Sequence, residues 1–496
     1  EVYELAKNQD PRSMRLLVST KKSVESVNLE INPILRKDHP SSSFMKECSE
    51  WWRTKLSEDA VLPGPSRSEI VTIEVREQEA ETLKERKEQW LVSSCMGADS
   101  SLQLAMKEGQ KDGLLPCAGT AAKLSSDTTP CPEPVRGEAF CFLPLSIATG
   151  LPIHINSSFA VAKNRRSIWE RSTTEHQDLE VRWNESLMSD PLCNAYIQLL
   201  ENMKCLCEKG VLRDYSFHVL WPRKLSDSWE TLVKSIYTKL VENSLQLLRS
   251  NNSWLDIHSG YVLADNLRKA PNVIETMQCL KENVFELPED VCDMLKKSGQ
   301  EETLQERTLT VERFFSNFFF PNVRELPHEL RNPLVQFGLD CISAKNEELV
   351  SLFINNPCIP CSQDGNTLVK PSELINPNGA AAKLFSPEDN RFPVGDEFLT
   401  ESRVFVLEKL GMKKDLLSWK EIYERAKTVE IIAVTCYDKA LLRSRKLIEY
   451  LNKHIKDLLS IEEDDKTIRD ICFLPFIKEP PQDYKNGLPW KGKERK

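Results

Sequence analysis

Arg165, Arg166 and Trp169 stand where a run of strand character gives way to polar sequence, and they are the residues of this chain best suited to binding. A guanidinium can grip phosphate or carboxylate oxygens through two parallel hydrogen bonds, and the ends of regular elements are where a rigid support displays such groups. The bland reading is a solvated basic corner with an indole closing a core edge. Other chemistry finds less support. Cys358 and Cys361 make one C-x-x-C pair without a second, and Cys205 and Cys207 lie on a helical stretch. Tetrahedral zinc needs four converging ligands, so the reading is small buried apolar residues and no metal. The seven histidines are dispersed, and His154 reads as a half-exposed partner for a backbone group. No serine or cysteine can be singled out beside a base, so the expectation is a protein that is not an enzyme.

The elements that must position Arg165, Arg166 and Trp169 are two strands. Ala139 to Leu145 is a continuous apolar run, and Leu151 to Ala162 alternates, with Ile153, Ile155, Phe159 and Val161 on one parity. Between them Ser146, Thr149, Gly150 and Pro152 supply the residue types of a tight reversal. Upstream, Phe44 to Leu56 reads as a helix, and Ile70 to Val75 and Gln89 to Ser93 as strands, so two strands precede the signature pair. Gly97 to Arg136 turns to Gly, Ser, Thr, Asp and Pro, which predicts a long and mostly mobile loop.

Beyond Asp178 the apolar period lengthens to about 3.5 residues. Leu192, Tyr196, Leu199, Met203 and Leu206 form one helical stripe, and Trp229, Leu232, Ile236 and Leu240 another. Residues 255–356 predict about four short helices punctuated by prolines that begin or end them, with Pro288-Glu289-Asp290 as a first turn. The phenylalanines of Phe314 to Pro321 are expected to be the buried face of a helix end. Asp364-Gly365-Asn366 signals a hairpin within Pro357 to Leu374. Ser418 and Glu421 make a capping box, and one long helix is predicted from about Val429 to Leu459. The domains expected are an α/β module over 1–205 (with the mobile loop at 97–136), a helical region over 206–356, and a β-hairpin plus long-helix region over 357–496.

Length and charge narrow the function. The chain has 496 residues, enough for about three domains, and begins at Glu1 without a methionine or signal peptide, which suggests a piece of something longer. Its 66 basic and 75 acidic residues are interspersed and sum to −9, which leaves no electrostatic footprint for nucleic acid. No stretch approaches the roughly 18 apolar residues of a membrane helix. Fifteen cysteines, an odd number scattered along the chain, fit reduced thiols in the cytoplasm, so the sequons at Asn156, Asn184 and Asn251 read as chance matches.

Four blocks carry a resemblance: Gly137 to Glu170, Trp183 to Leu200, Ile359 to Ile375 and Ile471 to Gly492. In this order they resemble the large repeats of the sacsin family, with Phe140, Phe142, Pro144, Gly150, Pro152, Trp169 and Trp183 as the structural signature. The resemblance implies a cytoplasmic chaperone-like or co-chaperone-like scaffold acting in cytoskeletal (intermediate filament) organisation and protein quality control. Its partners would be chaperone machinery, cytoskeletal clients and neighbouring domains of the same chain. Those repeats open with an ATP-binding domain of the gyrase and heat-shock chaperone type. That site needs Glu and Asn four residues apart and then Asp-x-Gly-x-Gly. Glu4 and Asn8 have the interval, but no such loop follows, so no cofactor is expected in this chain and ATP only through a preceding domain.

The layout also resembles the chaperone's middle segment, which sends an arginine to the γ-phosphate. That makes Arg165 and Arg166 candidate phosphate sensors. The fold class implied is α+β: an N-terminal α/β module resembling a chaperone middle segment, then a mainly helical region with small β-hairpins. The competing readings are an inert spacer, an independent enzyme, and a segment completing an ATPase site.

Overall fold

The structure, a computed structural model, describes residues 2–5, 14–23, 44, 47–48, 50–51, 64–79, 82–108, 114–126, 132–141, 143–163, 167–170, 178–212, 217–250, 253–461 and 471–474. The chain divides into two units: Glu1–Val262 with Asn283–Thr308, and Leu263–Glu282 with Leu309–Lys496. The class is α+β, with the mainly helical part at the C-terminal end.

The first unit is organised on an eight-stranded sheet. Its strands are β1 (Val2–Leu5), β2 (Met14–Ser23), β3 (Ser66–Glu79), β4 (Thr82–Met96), β5 (Cys117–Ser126), β6 (Glu138–Cys141), β7 (Leu143–Ala148) and β8 (His154–Ser157), in the spatial order β1-β2-β3-β4-β5-β8-β6-β7. Neighbours run antiparallel except β6 and β8, which pair in parallel with Ala139 opposite Ile155. The expected strands at 70–75 and 89–93 are the middles of β3 and β4. Of the helix expected at 44–56, Phe44, Glu47, Cys48, Glu50 and Trp51 are helical, and its other positions lie outside the described residues.

Two expectations are corrected in this unit. The stretch 97–136 is not a long loop. It holds helix α1 (Ser100–Lys107) and β5, a strand inside the sheet. The sequence CAGTAAKLSS has little β-branched or aromatic content, so its local propensity for strand is poor. What it offers is small side chains: Ala118 and Ala122 are buried, and Thr120 donates through Oγ1 to the Ala195 carbonyl at 3.1 Å. A helix backbone can therefore lie close above it.

Nor is the signature one strand over Ala139 to Leu145, a turn, and a second strand over Leu151 to Ala162. The apolar run reverses around position 142 into the β6·β7 hairpin, with Cys141 opposite Leu143. The second strand is only the four residues of β8. Leu151 to Ile153, before β8, instead wraps around Gly137. The Gly137 N–H donates to the Leu151 carbonyl at 3.0 Å, and a Cβ there would lie 2.4 Å from the carbonyl oxygens of both Leu151 and Ile153. Gly150 does turn the chain with φ +74°.

Helix α3 (Pro191–Glu208) lies on the sheet, and α2 (Leu179–Ser189) and α4 (Glu230–Glu242) pack against α3 and each other. Both expected stripes are buried. Helix α3 lies on β4 and β5, and Asn202 donates to Ser68 Oγ at 2.6 Å and Ser93 Oγ at 3.3 Å beneath it.

In the second unit, α5 (His328–Ser343), α6 (Glu347–Asn355), α7 (Glu401–Lys409), α8 (Trp419–Thr435) and α9 (Tyr437–Ile461) carry the structure. Residues 255–356 contain more than four helical segments. Pro288 precedes the helix Glu289–Leu295 as expected, but Pro333 sits inside α5. A proline has no N–H for the carbonyl four residues back. That carbonyl belongs to Glu329, and Asn272 supplies the missing donor through Nδ2 at 3.1 Å.

Phe314, Phe315, Phe319 and Phe320 are buried as anticipated, packed with Phe353. The hairpin forms between Ile359–Pro360 and Leu368–Val369, with Gly365 at φ +68°. The capping box is present: Ser418 Oγ accepts from the Glu421 N–H, and the Ser418 N–H donates to Glu421 Oε2 at 3.0 Å.

The single helix expected over 429–459 is two helices that break at Cys436 (φ −148°, ψ 93°) and fold back on each other. The β-branched run Ile431, Ile432, Val434 and Thr435 weakens helix propensity there. Closing the hairpin buries Ala426, Leu447, Tyr450 and Leu458 in one core.

Candidate functional site

The strongest candidate lies on α2 and the short antiparallel bridge in front of it, where Val161 faces Ile168. Asn184 of α2 is buried and makes three bonds to that bridge. Its Oδ1 accepts from the Ala160 N–H at 2.7 Å, and its Nδ2 donates to the carbonyls of Ala160 and Trp169, each at 2.9 Å. Trp183, also buried, donates from Nε1 to the Ser158 carbonyl at 2.8 Å. The Trp169 N–H closes the bridge on the Ala160 carbonyl at 3.1 Å. With its backbone held on both sides, Trp169 leaves its side chain outside, 44% exposed.

That indole borders a cavity of about 270 Å³ whose lining includes Glu170, Asn184, Asp227, Thr231 and Lys234. Lys234 is paired with Glu230 at 2.7 Å. An aromatic side chain on a backbone already held, beside mixed polar groups, can bind a partner side chain without the cost of ordering that backbone.

The other signature residues are distributed between this site and the corner of the sheet. Phe140, half-buried on β6, meets the His154 ring edge-on at 5.6 Å, and Trp90 stacks on that ring at 5.3 Å. Pro144 is exposed on β7, and the Pro152 carbonyl accepts from the Val135 N–H at 3.0 Å. Phe142, Arg165 and Arg166 lie outside the described residues, although Lys163 and Ser167 on either side of the arginines are described. Helix α2 thus brings Trp169 and Trp183 together.

Asn184, which the sequence offered only as a sequon, is the residue that joins them. Its one visible signal was position, directly after a tryptophan in a helix whose neighbours are apolar. Asp190 was missed as well. Buried between α2 and α3, it accepts from the backbone N–H of Ala98, Asp99 and Ser101, and from Ser101 Oγ at 2.6 Å. It fixes the start of α1.

Burial shifts several titratable groups of this unit. His154 is held below the ordinary histidine range by burial, partly offset by Glu138. Its Nδ1 accepts from the Glu138 N–H at 3.1 Å, so the neutral ring carries its proton on Nε2. Burial pushes the Cys95 and Cys193 thiols up to about 12 and Cys117 to about 11, so these are protonated, unreactive thiols at neutral pH. Cys358 and Cys361 flank the two-residue strand Ile359–Pro360. Three residues of extended chain separate their Cα atoms by about 10 Å, beyond the reach of a disulfide. Among the described residues no disulfide and no group of His, Cys, Asp and Glu able to hold a metal occurs, and no helix is long and apolar enough to cross a membrane.

Over 426 residues, 81% of its length, the chain is 33% identical to sacsin of Homo sapiens, and it spans about 9% of that protein. No family model matches the chain, and no solved structure does.

Proposed function

The chain is a sacsin-related segment, and from that premise we propose that it is a non-catalytic, protein-binding part of a cytoplasmic, chaperone-like scaffold, with Trp169 and the cleft beside it as the contact surface. The observation that carries this reading is the combination of an exposed indole with a backbone clamped by Asn184 and the Ala160 carbonyl. Exposed aromatics on rigid supports are the residues that dominate protein interfaces. The partners proposed are chaperone machinery, cytoskeletal clients and neighbouring domains of the same polypeptide, and any response to ATP would arise in a preceding domain, with Arg165 and Arg166 as the groups to relay it.

The test is suppression of aggregation of a heat-unfolded reporter protein by the wild-type chain and by Trp169→Ala. The expected result is suppression by the first, reduced several-fold in the second at unchanged melting temperature. Equal suppression by both removes the cleft from the proposal and moves the contact surface elsewhere, and suppression by neither leaves the inert-spacer reading. Calorimetry with ATP is expected to give no saturable heat with this chain alone.

A further inference from the structure

The cleft beside Trp169 is lined by three segments of the first unit: residues 168–170, one side of α2, and the start of α4 with the turn before it. Of its buried lining, Ile168, Val181 and Met188 are apolar, and Asn184 has its amide bonded to the bridge. The more accessible lining is acidic. Glu170, Asp227 and Glu230 are exposed and Glu185 is half-buried, so four carboxylates stand against one ammonium, that of Lys234. Lys234 is already held by Glu230 at 2.7 Å. Among the described residues, Glu170 and Asp227 have no ion-pair partner.

Helix polarity accounts for part of this acidity. Asp227 and Glu230 flank the N-terminal end of α4, where negative charge is favoured. Glu170 follows the Val161–Ile168 bridge, and Glu185 lies in the middle of α2, so neither is explained by a helix end. Carboxylates around an exposed indole, above apolar side chains, complement a long cationic side chain. A guanidinium fits best: its plane stacks on an indole face, its fork bonds a carboxylate through two parallel hydrogen bonds, and its stem packs on apolar surface. At about 270 Å³ the cleft falls below the roughly 300–1,000 Å³ of sites that enclose a small molecule, which suits one side chain.

We propose that the cleft takes an arginine side chain of a partner polypeptide, stacked on Trp169 and paired with Glu170 and Asp227. This rests on the cleft being the contact surface and adds the charge of what enters it. An acidic segment would meet like charge on approach. A purely apolar one would strip water from carboxylates that gain no partner in return.

The experiment uses the whole chain and a fluorescein-labelled peptide, Gly-Ser-Gly-Arg-Gly-Ser-Gly with blocked ends, read by fluorescence anisotropy. A second peptide carries citrulline, the neutral isostere of arginine, at its centre. The expected result is saturable binding of the arginine peptide and a loss of at least tenfold with citrulline. Trp169→Ala should weaken the arginine peptide at least fivefold, and Glu170→Gln with Asp227→Asn at least tenfold. Glu242→Gln with Glu301→Gln removes the same charge from two exposed positions outside the cleft lining and should leave the affinity unchanged. Should Trp169→Ala fail to fold, Trp169→Leu, which keeps bulk without the indole face, takes its place.

No saturable binding of the arginine peptide overturns the proposal, and so does equal binding of the citrulline peptide. Equal losses in the two carboxylate pairs overturn it as well, since the attraction would then be the general one of a chain with net charge −9. Binding that emerges only after Arg165, Arg166 and Arg171 are replaced by alanine would mean that the chain fills its own cleft, and removes the partner's arginine as occupant. The contact-surface reading fails separately. It falls if Trp169→Ala leaves aggregation suppression intact, and it stands without the arginine if suppression drops while the two peptides bind alike.

Discussion

The two units bury their polar groups in different ways. In the sheet-bearing unit the bonds that matter join residues remote in sequence: Asn202 reaches Ser68 across 134 positions, Asp190 holds residues 98–101, and Asn184 clamps Ala160 and Trp169. In the helical unit many of them close within three residues, as in the boxes Ser418/Glu421 and Ser386/Asp389. Its long-range polar contact of most consequence is ionic. Asp389 pairs with Arg425 at 3.2 Å and Arg443 at 2.8 Å, and Arg425, 5% exposed, also donates to the Leu384 carbonyl. One unit depends on satisfied neutral networks around a core, the other on caps and a half-buried charge cluster, so different perturbations should find them out.

The largest effect is expected from Asp190→Leu, which strands several buried donors at once. An unsatisfied buried donor costs about 1–3 kcal/mol, so the loss should reach about 3–5 kcal/mol, confined to the first unit in hydrogen exchange read segment by segment. A loss under about 1 kcal/mol would show that water takes over the role.

Acid should separate the units next. Burial, with Arg223, pushes His218 down to about 4, against the opposing pull of Asp290. A histidine held lower in the folded chain than in the unfolded one gives stability that is complete above the unfolded value, about 6.5, and is lost as pH falls toward 4. The first unit should therefore lose on the order of 3 kcal/mol across that window. Glu201 works in the opposite sense, since burial raises it despite Lys204 and its protonation regains stability on acidification. His218→Gln should flatten the slope, and an unchanged slope would sink the assignment.

In the second unit burial raises Asp389, but the Ser386 N–H, Arg425, the Ser386 hydroxyl and Arg443 outweigh it and hold the group below the usual carboxylate range. Its contribution is present above about pH 4, the unfolded value, and is lost as pH falls through its lower folded value. The second unit should thus outlast the first between pH 6.5 and 4. Asp389→Asn should remove about 2 kcal/mol at neutral pH by leaving buried Arg425 without its anion. Smallest is Ser418→Ala, at about 1 kcal/mol for a lost cap, visible as faster exchange in the first turn of α8.

What could be read from the sequence follows the same division. The Ser418 box, the Gly365 turn and the stripes of α3 and α4 were legible because each is a local pattern with a local cause. The strand β5 was not, because a run of Ala, Gly and Ser becomes a strand only when β4, β8 and α3 close around it. The break at Cys436 was hidden by an apolar period that continues through it. At the candidate site, Trp169 and Trp183 were visible as residues, but the Asn184 side chain that joins them makes its bonds 15 and 24 positions away, outside any window that periodicity can use.

The order of the two units along the chain has a consequence for biosynthesis. Residues 263–282 belong to the second unit, yet they leave the ribosome before 283–308, which complete the first. Asn272 illustrates the delay: its partner carbonyl, on Glu329, is made 57 residues later. The nascent polypeptide must therefore carry a segment waiting for its fold while an earlier fold waits for its last piece. Between positions 263 and 330 such a chain would be most exposed to mispairing, and a holdase bound there would protect it.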